Sequence, residues 1–150
     1  MTILHHAGVC VRDMEQSLQF YRDGLGLTVL VDKVLPGDME PLLGVHTTET
    51  RTVFLGDPAN TDSGIVELLD LGVREITDGA AQSGSPTRGV FLLAIQVDIE
   101  ATLQRLAELG LGGPPRIMPL PNGKSVATVV DPDGVVVELL ALGPLSIMSG

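Results

Sequence analysis

Two glutamates stand where a carboxylate is expensive. Glu67 follows Val66 and precedes Leu68-Leu69-Asp70-Leu71-Gly72, and Glu138 follows Val137 and precedes Leu139-Leu140-Ala141-Leu142-Gly143. A strand of Val and Leu is driven into the interior, and a glutamate inside it needs a partner. Meeting this twice in one local context, VELLxLG, predicts a duplicated half with both carboxylates directed into one cavity. The competing reading sets both on the wet face of an edge strand. Around a divalent cation, two such groups are ligands, and either can also act as a base. Without a cation they repel, and one stays protonated above the ordinary glutamate value of about 4.3, which makes an acid/base pair.

The imidazoles are His5, His6 and His46. His5 and His6 open the first apolar stretch, and regular strand alternation sends them to opposite faces. His5 then reads as a surface or interface residue. His46 follows a short predicted helix, Met39 to Val45, and would reach over the cavity. Phe54, near the end of a strand, is a candidate pocket residue that also suits the core. Cys10 sits in an apolar strand and reads as a small core residue. As the single cysteine it excludes an internal disulfide and fits a reducing compartment.

The elements that would position these groups repeat. In the first half, Ile3 to Val11 reads as a strand. Asp13 then caps a helix whose apolar stripe is Met14, Leu18, Tyr21 and Leu25, ended by Gly24 and Gly26. Strands follow over Leu27 to Leu35, Thr48 to Leu55 and Ile65 to Leu71. In the second half, Val90 to Val97 is a strand and Asp98 caps a helix with the stripe Ile99, Leu103, Leu106. Asp98-Ile99-Glu100-Ala101-Thr102-Leu103-Gln104 mirrors Asp13-Met14-Glu15-Gln16-Ser17-Leu18-Gln19. After the loop Gly112 to Pro115 come strands over Arg116 to Leu120, Ser125 to Val130 and Val135 to Leu142. Asn122-Gly123 marks a hairpin, since both residues accept positive φ. Each half is therefore βαβββ. The boundaries are residues 1–72 for the first module, 73–89 for a linker, 90–143 for the second module and 144–150 for a tail.

Composition narrows the function. One domain's worth of chain, 150 residues at 44% hydrophobic, can bury a core, and with three Phe, one Tyr and no Trp the interior must be aliphatic. A net charge of −10 with nine scattered Lys and Arg argues against nucleic acid or an anionic membrane as partner. The N-terminus lacks a signal-peptide pattern and no apolar run spans a bilayer, so a cytoplasmic location is expected. The glycines show neither phosphate-loop nor dinucleotide-loop spacing.

The run His6-Ala7-Gly8-Val9-Cys10-Val11-Arg12-Asp13, then Leu18, Phe20-Tyr21-Arg22-Asp23 and Leu25-Gly26-Leu27, resembles the opening signature of the vicinal oxygen chelate superfamily. Asp131-Pro132-Asp133-Gly134 through Glu138 resembles its ending. Glyoxalase I, extradiol dioxygenases, fosfomycin-modifying enzymes, methylmalonyl-CoA epimerase and bleomycin-resistance proteins belong to it. The resemblance covers both halves in order and implies an α+β fold, two βαβββ modules forming a half-open barrel around a shared cavity. It implies a divalent metal held by His6, Glu67, a first-strand residue of the second half, and Glu138. That third residue is Leu92 when counted from Val97, or Phe91 when counted from the helix starts. The enzymes named resemble one another in having histidine there, and this chain has no His beyond His46.

The expectation is thus a glyoxalase- or dioxygenase-like enzyme in which Mn²⁺, Fe²⁺, Zn²⁺, Ni²⁺ or Mg²⁺ polarises a carbonyl, enol or diol oxygen. His6, Glu67 and Glu138 would be the ligands, Glu138 or Glu67 the base, and Leu92, Phe54 and His46 the pocket. Isomerase, lyase and dioxygenase chemistries all fit. The alternative is a metal-free small-molecule binding or resistance protein, for which Leu92 would provide a dry wall. A purely structural module is the weakest reading. The resemblance and the apolar sheet edges imply a homodimer.

Overall fold

The computed structural model describes residues 1–73, 75–79 and 86–149. The chain forms two compact units, Met1–Asp78 and Gly79–Gly150. Positions 74 and 80–85 of the predicted linker lie outside the described residues. Among those described, no helix is long and apolar enough to cross a membrane.

The first module runs β1 (His6–Cys10), α1 (Met14–Leu18), a π-helical turn (Gln19–Gly24), β2 (Thr28–Pro36), α2 (Glu40–Leu43), β3 (Glu49–Gly56) and β4 (Ile65–Asp70). The second runs β5 (Leu92–Val97), α3 (Ile99–Leu109), β6 (Gly112–Pro119), β7 (Ser125–Val130) and β8 (Val136–Ala141), with a 3₁₀ turn over Ser146–Met148. The sheets have the same order, β1-β4-β3-β2 and β5-β8-β7-β6. The first strand of each is parallel to the last, and the remaining pairs are antiparallel. The fold is α+β, two βαβββ modules whose sheets are not closed on themselves.

Both principal helices begin by one device. Asp13 and Asp98 hold extended backbone, and each carboxylate accepts the N–H three residues on, from Gln16 at 3.2 Å and from Ala101 at 3.1 Å. Such a cap satisfies one of the orphan amides of the first turn. The helices then diverge. α3 stays regular to Gly110, whose φ of 69° ends it. In the first module only five residues are α-helical before the turn widens, with Leu25 N–H donating to Phe20 C=O at 2.9 Å. The widened turn carries Phe20 and Tyr21 side by side, both fully buried and packed edge to face at 4.9 Å.

Strand alternation divides each sheet into two faces. One face of the first sheet buries Val9, Val53, Leu55, Val66 and Leu68 together with Met14, Leu18, Phe20 and Tyr21 of the helical layer. One face of the second buries Val97, Ala127, Val129, Val137 and Leu139 with Leu106. A fully buried Leu or Val contributes about 1.5–3 kcal/mol.

Several sequence expectations are corrected. Cys10 is exposed, because it shares the parity of His6 and Gly8 and so points away from the helix-packed face. Residues 112–115 are part of β6 and not a loop, with a register shift between Gly112 and Arg116. An edge strand tolerates the missing amides of Pro114 and Pro115 there. At the 122–123 hairpin only Gly123 takes positive φ, 80°, while Asn122 accepts the Lys124 N–H through its side chain.

Candidate functional site

β4 and β8 are interior strands, each between the first and third strands of its sheet. This disposes of the edge-strand reading of the two glutamates. The strands also share one burial pattern residue for residue, with Glu67 and Glu138 each half-buried in third position. Across the ladder, Glu67 is opposite Gly8 and Phe54, and Glu138 is opposite Ala94 and Thr128.

The first module builds a convergent group around Glu67. His6 lies one pleat from Gly8 on the same face, and its Nε2 stands 3.4 Å from Glu67 Oε1. Glu67 Oε2 accepts a hydrogen bond from Thr52 Oγ1 at 2.8 Å. Phe54 leans on the His6 ring with centroids 5.4 Å apart. Gly8 places no side chain between them; a Cβ there would come within 3.8 Å of Glu67 Oε1. The Glu67 side chain is 16% exposed and that of His6 37%, so the carboxylate is sheltered and the imidazole reachable. Thr52 is buried, and so is Thr50, whose hydroxyl has no partner among the described residues.

His5 is exposed, as expected of a surface residue, but not by way of strand alternation. It precedes β1, so strand alternation does not govern it, and its Nδ1 lies 2.9 Å from His6 Nδ1. One of the two rings must donate and the other accept. A metal-binding imidazole commonly has its second nitrogen engaged in this manner.

The pair fits a divalent cation. Two ligands about 2.1 Å from one ion are separated by about 3.0 Å in octahedral and about 3.4 Å in tetrahedral geometry. The 3.4 Å between His6 Nε2 and Glu67 Oε1 lies within that range. One imidazole with carboxylates suits a borderline or hard ion such as Zn²⁺, Mn²⁺ or Fe²⁺.

The second module repeats the frame without these side chains. Register equates His6, paired with Ile65, to Leu92, paired with Val136. Of the two sequence alignments, Leu92 and not Phe91 is therefore the equivalent. By the same count Ala94 replaces Gly8, Thr128 replaces Phe54, and Val126 replaces Thr52. An open cleft of about 530 Å³ in this module is lined by Ile99, Leu103, Ile117, Lys124 and Leu142. It lies on the helix-packed side of the sheet, opposite Glu138.

His46 is placed apart from this group. It flanks α2, 72% exposed, with Nδ1 at 3.0 Å from Asp38 Oδ2 and 3.9 Å from Glu40 Oε2. Asp38, Glu40 and His46 offer ligand atoms within 4.8 Å of one another, all exposed. The Asp38 carboxyl is held below its usual range by the Thr47 and Glu40 amides and then by His46, so its first task is bracing this loop.

Sequence reasoning missed Thr52. The signal was present in the alternation of Thr48, Thr50 and Thr52, which lines hydroxyls along one face of a strand.

Comparison with known proteins agrees with this architecture. The profile of the Glyoxalase/Bleomycin resistance protein/Dioxygenase superfamily matches residues 3–139. The chain is 36% identical over 149 residues to the lactoylglutathione lyase-like protein terB of Aspergillus terreus, covering 92% of this chain and 74% of that protein. It is similar to the trypanothione-dependent glyoxalase I of Leishmania major, with a TM-score of 0.65 and 26% identity over 94% of this chain and 87% of that one. A glyoxalase family protein from Bacillus cereus shares the fold at a TM-score of 0.77 and 14% identity over 93% of each chain. TnmS3, an antibiotic binding protein from Streptomyces sp. CB03234, shares it at 0.56 and 21%, over 95% and 98%. The chain belongs to the Glyoxalase/Bleomycin resistance protein/Dioxygenase superfamily.

Proposed function

We propose that this chain is a metal-dependent enzyme of lyase or isomerase type that moves a proton beside a carbonyl or enol oxygen of a small substrate. The observation that carries the reading is the His6–Glu67 pair, convergent at 3.4 Å, with the imidazole 37% exposed. The name of the Aspergillus relative favours a lyase over a dioxygenase.

In this reading His6 Nε2 and Glu67 Oε1 are two ligands, and Glu138, the corresponding carboxylate of the second module, is the proposed third. A bound divalent cation would supply Lewis acidity toward the substrate oxygen. Glu138 accepts the proton from the adjacent carbon and returns it to the neighbouring one. Glu67 stays oriented through Thr52. Phe54 and Leu92 offer apolar contact to the substrate's carbon skeleton, and a dry wall strengthens the electrostatics of the reacting atoms.

The test is metal content of the full chain purified without chelators, then after loading with Mn²⁺, Fe²⁺, Zn²⁺ or Ni²⁺. Stoichiometric metal in the parent, lost in both His6→Ala and Glu138→Gln, is the expected result. A parent that takes up none of the four ions refutes the reading.

One observation favours a second reading, a metal-free small-molecule binding protein. Leu92 and Val126 replace His6 and Thr52, so the second module's face is apolar where the first is polar. A parent that binds no metal yet retains a small apolar ligand in calorimetry, without turning it over, would establish that reading instead.

A further inference from the structure

We propose that Thr52 is a positioning residue for the metal-binding carboxylate: its hydroxyl fixes Glu67 Oε2, so that Oε1 stays turned to His6. This rests on the reading of His6 and Glu67 as ligands.

The argument begins with what a glutamate does in a strand. Three rotatable bonds let its carboxylate swing, and a ligand that swings must be ordered before it binds. Thr52 removes that freedom. It sits on β3, which is hydrogen-bonded to β2 on one side and β4 on the other, so its backbone cannot drift. Its β-branched side chain is stiff at χ1. It is only 5% exposed, which leaves water little room to compete for the hydroxyl. An O–H donated to a carboxylate at 2.8 Å is charge-assisted and stronger than a neutral bond. With Oε2 so engaged, the Oε1 lone pairs are the ones presented toward His6 Nε2.

The second module provides the internal contrast. Val126 has nearly the shape of Thr52 and no hydroxyl, so it can donate nothing to Glu138. The duplicated frame therefore carries one carboxylate held by a hydroxyl and one that accepts no hydrogen bond among the described residues, although Thr128 lies opposite it on β7. That asymmetry suits a division between a fixed ligand and a carboxylate that moves to carry a proton.

Thr52→Val copies the second module's own solution into the first, and Thr52→Ser keeps the hydroxyl. Two readouts separate the possibilities. Mn²⁺ affinity, by competition with a chelating indicator, should fall about ten-fold or more in Thr52→Val and stay within about two-fold in Thr52→Ser. In the metal-free protein at fixed pH, the His6 ring NMR signals should move in Thr52→Val as they do in Glu67→Gln, and keep their place in Thr52→Ser. Circular dichroism checks that each variant folds, and Thr52→Ala serves the same comparison if valine is not accommodated. Parent-like affinity and parent-like His6 signals in Thr52→Val would overturn the proposal. Should the parent itself bind no Mn²⁺, the ligand reading falls, and the ring signals alone decide whether Thr52 orients Glu67 toward His6.

Discussion

Leu68 and Leu139 hold equivalent places in the two modules and do the same work, each fully buried on the helix-packed face of an interior strand. His6 and Leu92 also hold equivalent places, yet one brings a ring nitrogen to a carboxylate and the other brings a methyl-capped side chain. The two kinds of position lie on opposite faces of the same sheets. At these buried positions of the helix face the side chains are enclosed by neighbours, so substitution costs a cavity or a clash. On the other face the first module has a half-buried polar group and the second an apolar one, at no expense to the frame. The repeat keeps the frame and lets the second face differ, and the candidate site lies on the face where packing makes fewer demands.

The largest effect should come from the positions that the modules share. Leu68→Ala and Leu139→Ala should each destabilise by about 2–5 kcal/mol in urea unfolding. A marked difference between them would break the equivalence of the two cores. A smaller effect should separate the glutamates. Glu67→Ala strands the buried Thr52 hydroxyl and should lower stability by about 1–3 kcal/mol. Glu138 faces Thr128 and Val126 on β7, with no hydrogen bond from either among the described residues, and Glu138→Ala should stay within about 0.5 kcal/mol of the parent. Equal losses would mean that Glu138 has a partner of comparable value and would narrow the asymmetry.

The smallest effect is expected from a surface clamp on the first module. Arg51 forms a two-pronged pair with Asp32 across β2 and β3 and reaches Glu15 at 2.8 Å on α1. The Arg51 bond holds the Asp32 carboxyl below its usual range. Since the folded value is depressed, its stabilisation is present above the unfolded value near 3.8 and lost as pH falls through the folded one. The group is largely solvated, so about 0.2–1 kcal/mol is at stake. Asp32→Asn should be slightly less stable than the parent at pH 7, and the two should converge below pH 4. A gap that does not narrow as the pH falls below the unfolded value near 3.8 would assign the loss to packing and not to charge.

Much of this was legible beforehand because it is local. The VELLxLG repeat, the Asp caps at 13 and 98, and the apolar stripes of Leu18 and Leu106 each follow from side-chain chemistry acting over a few residues. They were enough to predict two βαβββ modules and to single out Glu67 and Glu138, while His6 was singled out by the family resemblance of the opening run. Less local features were misplaced. The widened helical turn at Gln19–Gly24 depends on Phe20 and Tyr21 burying together, a demand set by the sheet beneath them. Cys10 looked like core because its neighbours are apolar, and only the parity of β1 turned it outward.

By itself, then, the order of residues determined the repeat, the caps, the turns and the identity of the costly carboxylates, since each rests on propensity or on the expense of burying charge. Only the tertiary structure decided the register, and register is what makes a site. One residue of slip would exchange the two faces of β4 and put Glu67 among the helix-facing leucines. The pairing of β3 with β4 instead sets Thr52, fifteen positions upstream, against its carboxylate. The pairing of β1 with β4 brings His6 to the other oxygen across sixty-one residues. Hydrogen bonds between strands, and not contacts along the chain, choose those neighbours.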